Sequence, residues 1–309
     1  MKKEEFYFES RDGVSHIHAV RYTPDNGEVR GVFQIVHGMA EYIERYEDIA
    51  EYMTDRGFVV TGDDHLGHGK SVQAGGTYGY FCEQDPATVV VRDVHRLKKM
   101  TQELYPGVPY ILLGHSMGSF IARNYICRYG TGITAAIIMG TGMQPKFLIG
   151  ISKFLVGFQK LFFGWKHPAK FINNIAFGSY NKRIRSPRTE FDWLSVNNDN
   201  VDKYLADPLC GRLFTVNGFG TLFELIARLL NKKNLAGVPK DLPILMVAGA
   251  EDPVGNYGKG VQQAKESLEA AGVKDITLKL YSGDRHEILN EDDREQVKED
   301  IYNWILEKL

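Results

Sequence analysis

The sequence predicts an α/β fold: a mostly parallel, doubly wound sheet, covered by helices on both faces and carrying an inserted helical cap. Six short apolar runs, each ending at a glycine or a polar turn, alternate with helical patterns. This alternation requires right-handed β-α-β crossovers and therefore a mostly parallel sheet. One gap of about a hundred residues is too long for a crossover and contains helical patterns of its own, which predicts the cap.

The chain begins with a hairpin pattern, in which "EEFYFES" and "HIHAVRYT" flank the turn "RDGVS". These two segments predict a pair of antiparallel strands. Helical patterns such as "YEDIAEYMTDRG" and "PATVVVRDVHRLKKMTQELYPG" lie in the gaps between the later apolar runs. Those six runs predict strands at residues 31–38, 57–64, 109–116, 133–140, 242–249 and 276–283.

The long gap gives the predicted domain organisation. Residues 145–236 are predicted to form the helical cap, inserted into a core domain of residues 1–144 and 237–309. We find no internal repeat and no low-complexity segment in the chain.

Charge and cysteine content exclude several classes of protein. Lys and Arg total 37 and Asp and Glu total 39, which gives a net charge of −2 and no basic domain for nucleic acid. The three cysteines, Cys82, Cys127 and Cys210, are widely spaced without a CxxC pair. This pattern argues against a disulfide framework or a structural zinc site and is typical of a reducing compartment.

Neither the beginning of the chain nor its longest apolar stretch has the pattern of a membrane segment. "MKKEEFYFES" turns acidic after two lysines, without the apolar region of a signal peptide. The apolar stretch at residues 146–165 is interrupted by Lys153 and Lys160, which makes it too charged for a spanning helix. We therefore expect a soluble, cytoplasmic protein.

Four polar side chains follow predicted strands at the point where each strand ends: His37, Ser116, Asp252 and His286. Ligands of open parallel sheets bind outside the carboxyl ends of the strands, where these residues should converge. Packing alone does not require polar residues at these four positions. The sequence therefore predicts a functional site at this edge of the sheet.

The sequence "GHSMG" places Ser116 between a strand and a helical pattern, in the form G-x-S-x-G. This motif is typical of the nucleophile elbow of α/β-hydrolases, a turn so sharp that side chains at Gly114 and Gly118 would collide. The alternative is a structural serine in a glycine-flanked turn. A serine hydroxyl becomes a nucleophile only with a base, a group that orients the base, and donors for the oxyanion.

The later part of the chain supplies both partners in the order that this fold requires, Ser, then Asp or Glu, then His. Asp252 ends the strand "PILMVAGAED", and His286 follows the last predicted strand. Glu251 is the alternative to Asp252, whereas Asp284 is too close in sequence to His286 to orient its ring. We interpret His115, which adjoins Ser116, as lining of the elbow. This mechanism needs no cofactor.

The oxyanion requires two backbone N–H donors. The residue after the nucleophile, Met117, supplies one, and the loop after the strand "FQIVHG" supplies the other, which we assign to Met39. His37 and Gly38 let this loop bend back over the serine, and we include both among the candidate substrate-binding residues. The structural interpretation of His37 is a core histidine that bonds the backbone, and we expect this to be its functional role as well.

A second cluster, "GDDHLGHG", offers Asp63, Asp64, His65 and His68 as ligands of metal type. Metal-dependent hydrolases need further ligands downstream, and the serine mechanism already uses the downstream His286. We therefore expect no metal here.

The blocks "HGMAEYIERY", "DDHLGHGKS", "GHSMGS", "GAEDPVG" and "YSGDRHEILNE" resemble those of the monoacylglycerol lipase and lysophospholipase family of α/β-hydrolases. Within the family the chain is most similar to bacterial lysophospholipase-like members, which are sometimes grouped with S33 serine aminopeptidases. The resemblance runs from about Phe8 to the C-terminus.

The resemblance implies that Ser116 is the nucleophile, Asp252 the acid and His286 the base, with Met39 and Met117 as oxyanion donors. It also implies that Glu41, Arg45 and Tyr46 brace the loop after the strand "FQIVHG", which we call the oxyanion loop. The implied substrate is a small acyl ester of single-chain lipid type.

Two alternatives to an ester hydrolase stay open at this point. An aminopeptidase or amidase would use the same triad with an acidic cluster to hold an amino terminus, for which Glu190, Asp192, Asp199 and Asp202 are candidates. A catalytically inactive binding protein would keep the fold but break the triad, and here every catalytic position is filled.

The apolar stretch at residues 146–165 gives two interpretations of the cap. Its lysines and glycines recur every seven residues, with aromatic and aliphatic side chains such as Phe154 and Phe158 around the rest of the helix. The helix either packs against the sheet domain or a second copy, or forms a lid that contacts a lipid aggregate or membrane surface and admits an acyl chain.

Overall fold

A computed structural model describes residues 1–25 and 27–309 of the chain. Its centre is an eight-stranded sheet in the order β1-β2-β4-β3-β5-β6-β7-β8. The first two strands form the expected antiparallel hairpin, β2 pairs with β4 antiparallel, and all later pairs are parallel. The strands are β1 Lys2–Glu9, β2 His16–Thr23, β3 Gly31–Val36, β4 Phe58–Asp63, β5 Tyr110–His115, β6 Ala135–Met139, β7 Ile244–Gly249 and β8 Ile276–Tyr281.

Every predicted strand is present, and most end one or two residues inside the predicted limits. The four central strands β3 to β6, and β7 beside them, are buried along their whole length. Their continuous Val, Ile and Leu content follows from this burial, because helices cover both faces of a parallel sheet. The fold class predicted from the sequence is therefore confirmed.

Helices cover the sheet on both sides. One apolar cluster joins the sheet to α1 and α10, and the other joins it to α2, α3, α7 and α9. The helices are α1 Glu47–Thr54, α2 Pro86–Leu104, α3 Met117–Tyr129, α4 Lys146–Phe163, α5 Lys170–Phe177, α6 Asn198–Ala206, α7 Val216–Leu229, α8 Lys232–Leu235, α9 Lys259–Ala270 and α10 Arg294–Lys308.

Helices α4 to α8 lie between β6 and β7, in the segment where the sequence predicts the cap. This segment is attached to the core domain by buried polar contacts. The side chain of Asn217 on α7 accepts a hydrogen bond from Phe81 N and donates one to Cys82 O. The boundaries at residues 145 and 236 stay a prediction.

Helix α4 buries only Ile149 and Val156, which are seven residues apart and share one face. Most of its other large apolar side chains are exposed, with Phe154 71% and Phe158 53% exposed. The helix ends where Gly164 adopts a φ of 78°. Within the described residues, no helix combines the length and the apolar character needed to cross a membrane.

Candidate active site

The turn between β5 and α3 holds Ser116 in a strained conformation, with φ 54° and ψ −121°. A non-glycine residue at positive φ is uncommon and is often found at a functional site. The glycines on either side are needed for the close approach of backbone. A Cβ at Gly114 would lie 2.4 Å from Gly118 O, and one at Gly118 would lie 1.9 Å from Val36 O. This geometry is that of a nucleophile elbow.

The predicted acid and base contact each other directly. Asp252 Oδ2 lies 2.9 Å from His286 Nδ1, and both side chains are buried. The other carboxylate oxygen, Asp252 Oδ1, accepts a hydrogen bond from Val254 N at 2.8 Å, which holds the carboxylate in place. The alternative acid, Glu251, is exposed to solvent. The structure therefore pairs His286 with Asp252 rather than with Glu251.

Packing brings the loops of Ser116 and His286 together. The ring of His115, the residue before Ser116, lies 4.8 Å from the ring of His286 between centroids, and its Nε2 lies 3.2 Å from His286 O. At Gly140, where β6 ends, an added Cβ would meet both rings at 3.1 Å. The Ser116 hydroxyl has no hydrogen-bond partner among the described residues. The three predicted triad residues therefore lie on adjoining loops at the carboxyl edge of the sheet.

The loop after β3 lies against the predicted nucleophile, since a Cβ added to Gly38 would come 3.0 Å from Ser116 Cβ. Its next residue, Met39, has an N–H that makes no hydrogen bond within the described chain. Met117 is the first residue of α3, and the first N–H groups of a helix have no partner within it. The two predicted oxyanion donors are thus available on both sides of Ser116.

His37, at the start of this loop, is fully buried. Its Nδ1 lies 2.8 Å from Gly38 O, and its Nε2 accepts a hydrogen bond from His65 N at 3.0 Å. Burial lowers the pKa of His37 well below its usual value, which keeps the ring neutral and able to accept that bond. These contacts are those of a core histidine that bonds the backbone, and the assignment of His37 to the substrate-binding residues stays a prediction.

Glu41 braces the oxyanion loop from within. Its Oε1 accepts hydrogen bonds from Gly38 N at 2.6 Å and from Tyr46 Oη at 2.8 Å, while Arg45 Nη1 donates to its Oε2 at 2.7 Å. Burial opposes ionisation of Glu41, yet the hydrogen bond from His115 and the charge of Arg45 lower its pKa well below the usual range. Burial also lowers the pKa of His115, but Glu41 outweighs this effect and raises it.

Sequence reasoning missed Glu287, although it directly follows His286. Arg45 donates from Nη1 and Nη2 to the two oxygens of Glu287, each at 2.8 Å. Asn200, on α6 of the predicted cap, donates to the same carboxylate at 2.7 Å. Although burial opposes it, Arg45 lowers the pKa of Glu287, so the buried pair is ionised. This network joins the oxyanion loop, the loop of His286 and the predicted cap.

The predicted cap also touches the site at other points that the sequence did not reveal. The ring of Trp193 lies 5.2 Å from that of His286 between centroids. Leu194 O accepts a hydrogen bond from Glu287 N at 2.8 Å, and Tyr204 Oη donates to Ala40 O at 3.1 Å. Ala40 belongs to the oxyanion loop, so the segment between β6 and β7 contacts both loops that flank Ser116.

The cluster considered as a metal site forms hydrogen bonds to its own loops. Asp64 accepts from Ile43 N at 2.9 Å and from Lys70 N at 2.8 Å, and His65 Nδ1 lies 3.1 Å from Asp63 Oδ2. Among the described residues, no group of three or more His, Cys, Asp or Glu side chains is arranged to hold a metal ion. These side chains hold the loop after β4 against the oxyanion loop.

Two of the four acidic residues considered for an amino-terminus site are held by contacts with nearby donors. Asp192 is buried and accepts hydrogen bonds from Arg188 N and from Thr189 Oγ1 at 2.5 Å each. Asp202 pairs with the Arg188 side chain at 2.7 Å. Both carboxylates are therefore already paired with donors of residues 188 and 189.

Together, the doubly wound sheet, the strained serine and the Asp–His pair at its carboxyl edge define an enzyme of the serine hydrolase class with the α/β-hydrolase fold. The model of the family described as "Serine aminopeptidase, S33" matches residues 27–293. The chain belongs to this family.

Characterised relatives include lipases from bacteria and mammals. The chain is 27% identical over 307 residues to the monoacylglycerol lipase of Mycolicibacterium smegmatis, which covers 99% of this chain and 98% of that protein. It is 28% identical over 300 residues to the monoglyceride lipase of Homo sapiens, covering 93% and 86% of the two chains. The resemblance to monoacylglycerol lipases predicted from the sequence is confirmed.

Solved structures give the same picture. A thermostable carboxyl esterase from Bacillus coagulans, in complex with glycerol, matches with a TM-score of 0.89 and 33% identity, over 99% of this chain and 98% of that one. A structure described as the open form of a lipase matches with a TM-score of 0.91 and 27% identity over 99% of both chains.

Proposed function

We propose that this enzyme hydrolyses carboxylic esters of single-chain acyl compounds, of the monoacylglycerol or lysophospholipid type, with Ser116, His286 and Asp252 as its triad. The observation that carries the proposal is the buried Asp252–His286 contact of 2.9 Å on the loops that adjoin the elbow of Ser116. The full-length similarity to monoacylglycerol lipases supports the choice of substrate class.

In this mechanism Asp252 accepts a hydrogen bond from the Nδ1–H of His286, which fixes the tautomer whose Nε2 lone pair is free to act as a base. Ser116 Oγ attacks the ester carbonyl carbon as His286 Nε2 takes the hydroxyl proton. The resulting oxyanion accepts hydrogen bonds from the N–H groups of Met39 and Met117. Loss of such a donor typically reduces turnover by about 10²–10³.

The tetrahedral intermediate then collapses, and the bond between the carbonyl carbon and the alkoxy oxygen breaks. His286 gives its proton to the leaving alcohol, and the acyl group stays on Ser116 as an ester. In the second half of the reaction a water molecule, deprotonated by His286, attacks the carbonyl carbon of this acyl-enzyme. The bond from that carbon to Ser116 Oγ then breaks, and His286 returns the proton to the serine oxygen. The products are the alcohol and the fatty acid, and no cofactor takes part.

We further propose that the predicted cap, residues 145–236, brings the enzyme into transient contact with lipid aggregates or a membrane surface. The exposed Phe154 and Phe158 of α4 support this lid interpretation, because in the monomer they do not pack on the sheet domain.

Gly38 stays a candidate substrate contact, since it lies against Ser116. The three unbridged cysteines support a reducing, cytoplasmic location.

The proposal is tested with purified wild-type enzyme and the Ser116→Ala variant on p-nitrophenyl esters and aminoacyl anilides. We expect ester hydrolysis by the wild type and no measurable turnover by a variant with an unchanged melting temperature. Substantial turnover by Ser116→Ala would contradict the assignment of the nucleophile. A clear preference of the wild type for anilides would favour the aminopeptidase instead.

A fluorophosphonate probe distinguishes the enzyme from an inactive binding protein of the same fold. The probe reacts with an activated serine and leaves a covalent adduct on it. We expect the adduct on Ser116 of folded wild-type protein. Folded protein that stays unlabelled would favour the binding protein.

A further inference from the structure

The charge of the chain is unevenly distributed around α4 and α5. Residues 104–189 contain no Asp or Glu, although the whole chain carries a net charge of −2. Within this stretch, residues 146–188 hold nine basic residues. They are Lys146, Lys153, Lys160, Lys166, Lys170, Lys182, Arg183, Arg185 and Arg188. A run of one sign of charge is typical of a segment that meets an oppositely charged partner.

All nine basic side chains are exposed in the structure. Lys153 pairs with Glu224 and Arg188 pairs with Asp202, each at 2.7 Å. In the part of the chain that the structure describes, the other seven have no carboxylate within 4 Å. Residues 146–188 therefore carry a positive charge that carboxylates within 4 Å do not neutralise. Arg183 and Arg185 lie toward the core domain, where they line a cavity with Tyr257, so the cations beside the exposed helices are the lysines.

The same segment carries an exposed apolar surface on two adjoining helices, α4 and α5. We call it the apolar face. Its members are the exposed residues Phe147, Leu148, Ile151, Phe154, Phe158, Leu161, Phe162 and Phe163 of α4, and Phe171 and Ile175 of α5. Contiguous exposed apolar groups of this extent mark an interaction site rather than ordinary protein surface.

The lysines of α4 flank the apolar face. Lys146, Lys153 and Lys160 are seven residues apart and therefore share one side of the helix, between the buried stripe of Ile149 and Val156 and the exposed aromatic residues. Side chains in such positions can extend along apolar surface and place their ammonium groups in a surrounding polar layer. This arrangement is that of a helix that lies in the plane of a membrane interface.

We propose that the apolar face and its basic flank dock on an anionic lipid surface, and that the enzyme discriminates such surfaces from neutral ones by charge. The proposal rests on the proposed function in one respect, since it names the lipid surface from which the enzyme takes its substrate. Aromatic side chains enter the acyl boundary while the lysines meet anionic headgroups. Each basic side chain near an anionic surface strengthens binding roughly fivefold.

The same charge disfavours a second copy of the chain as the occupant. A two-fold dimer interface brings the same surface of both copies together. Burying the apolar face in this way would place the two sets of unneutralised cations against each other, which costs free energy in a site of low dielectric constant. An anionic surface removes that repulsion and also covers the aromatic residues.

The experiment measures binding of the full-length Ser116→Ala protein to vesicles, because this variant cannot consume lipid esters during the assay. Vesicles of phosphatidylcholine alone are compared with vesicles in which about a third of the lipid is phosphatidylglycerol. We expect at least tenfold tighter binding to the anionic vesicles, and this difference should shrink as salt is raised. Equal affinity for both vesicles would overturn the charge discrimination.

Charge variants in the Ser116→Ala background locate the surface. Lys146→Gln with Lys160→Gln and Lys170→Gln should weaken binding to anionic vesicles by about a hundredfold. The control, Lys2→Gln with Lys99→Gln and Lys259→Gln, removes three exposed, unpaired lysines of the core domain and should leave binding unchanged. Equal losses in both variants would show non-specific attraction and overturn the assigned surface.

Two further measurements separate the ways in which the proposals can fail. Sedimentation of wild-type protein without lipid reports the oligomeric state, and a stable dimer that binds no vesicles would show that a second copy covers the apolar face. Hydrolysis of a soluble butyrate ester by wild-type protein tests the proposed chemistry alone. Vesicle binding without this hydrolysis would reject the proposed function and keep the docking surface.

Discussion

Arg45 holds Glu287 through two parallel hydrogen bonds of 2.8 Å, and this contact links the oxyanion loop to the residue that follows His286. Arg45 also binds Glu41, which fixes Gly38 N beside Ser116. The two halves of the catalytic arrangement are therefore held by one guanidinium group. Such paired geometry is specific to arginine, whose rigid fork matches a carboxylate.

The first prediction concerns this link. Glu287→Gln removes the charge that faces Arg45 and should lower the free energy of unfolding by about 2 kcal/mol, the typical value of a charged hydrogen bond. Because the loop of His286 loses its anchor, kcat on a butyrate ester should fall while KM changes little. Urea unfolding and steady-state kinetics measure the two effects.

The control for that variant is Glu47→Gln, which changes an exposed carboxylate on α1 and should alter neither quantity. Lost stability with unchanged kcat would show that Glu287 supports the fold without positioning His286. Rescue of kcat by Glu287→Asp would instead support a positioning role, since the charge is kept.

The second prediction separates the two candidate acids. Asp252→Asn should reduce kcat by about four orders of magnitude, because an amide in this position favours the wrong tautomer of His286. Glu251→Gln, one residue away and exposed, should leave kcat unchanged. Kinetics of both variants on one ester make the comparison. The reverse result, a large loss in Glu251→Gln alone, would move the acid to Glu251.

The third prediction concerns pH and stability. Burial raises the pKa of Asp93 from 3.8 to about 7, while the hydrogen bonds from Ser10 Oγ and Arg11 N act in the opposite direction. The folded state thus holds this proton where the unfolded chain has already lost it. By linkage, the free energy of unfolding falls as pH rises from about 4 to about 7, by at most about 4 kcal/mol.

Asp93→Asn removes this ionisable group and should flatten the dependence of stability on pH over that window. Urea midpoints at several pH values, from about 5 to about 8, measure the slope. Asp55→Asn, an exposed carboxylate at the end of α1, is the matched control and should keep the wild-type slope. An unchanged slope in Asp93→Asn would mean that Asp93 does not titrate in this range.

The fold and the triad could be predicted from local patterns in the sequence. Buried parallel strands consist of continuous apolar runs, and Ser116, Asp252 and His286 each follow such a run directly. The elbow needs glycines at fixed positions, so its motif is visible within five residues. These features involve residues that are close together in the chain, so a single sequence is enough to recognise them.

The network around Glu287 depends on residues that only the folded chain brings together. Its contacts with Arg45 and Asn200 span 242 and 87 positions of the sequence. Trp193 likewise reaches His286 from a part of the chain with no recognisable motif. Helical periodicity identified α4 as a helix but did not show which of its faces is covered. That face is set by the packing of α7 against Ile149 and Val156.

The last prediction concerns the apolar face. Replacing Phe154 and Phe158 by serine removes two exposed rings, so the melting temperature should not fall, in contrast to a change in a packed core. Efficiency should fall far more on an aggregated dodecanoyl ester than on a soluble butyryl ester, because only the former is reached through a lipid surface. Each buried CH₂ contributes about 0.8 kcal/mol. Loss of contact with three or four CH₂ groups of the acyl chain therefore predicts a ratio of the two falls in efficiency, dodecanoyl over butyryl, of about two orders of magnitude. The control, Val14→Ser with Leu104→Ser, removes two exposed apolar side chains of the core domain and should give a ratio near one. A ratio near one for the Phe154 and Phe158 variant, together with a lower melting temperature, would show that these residues pack against protein and would reject the lid.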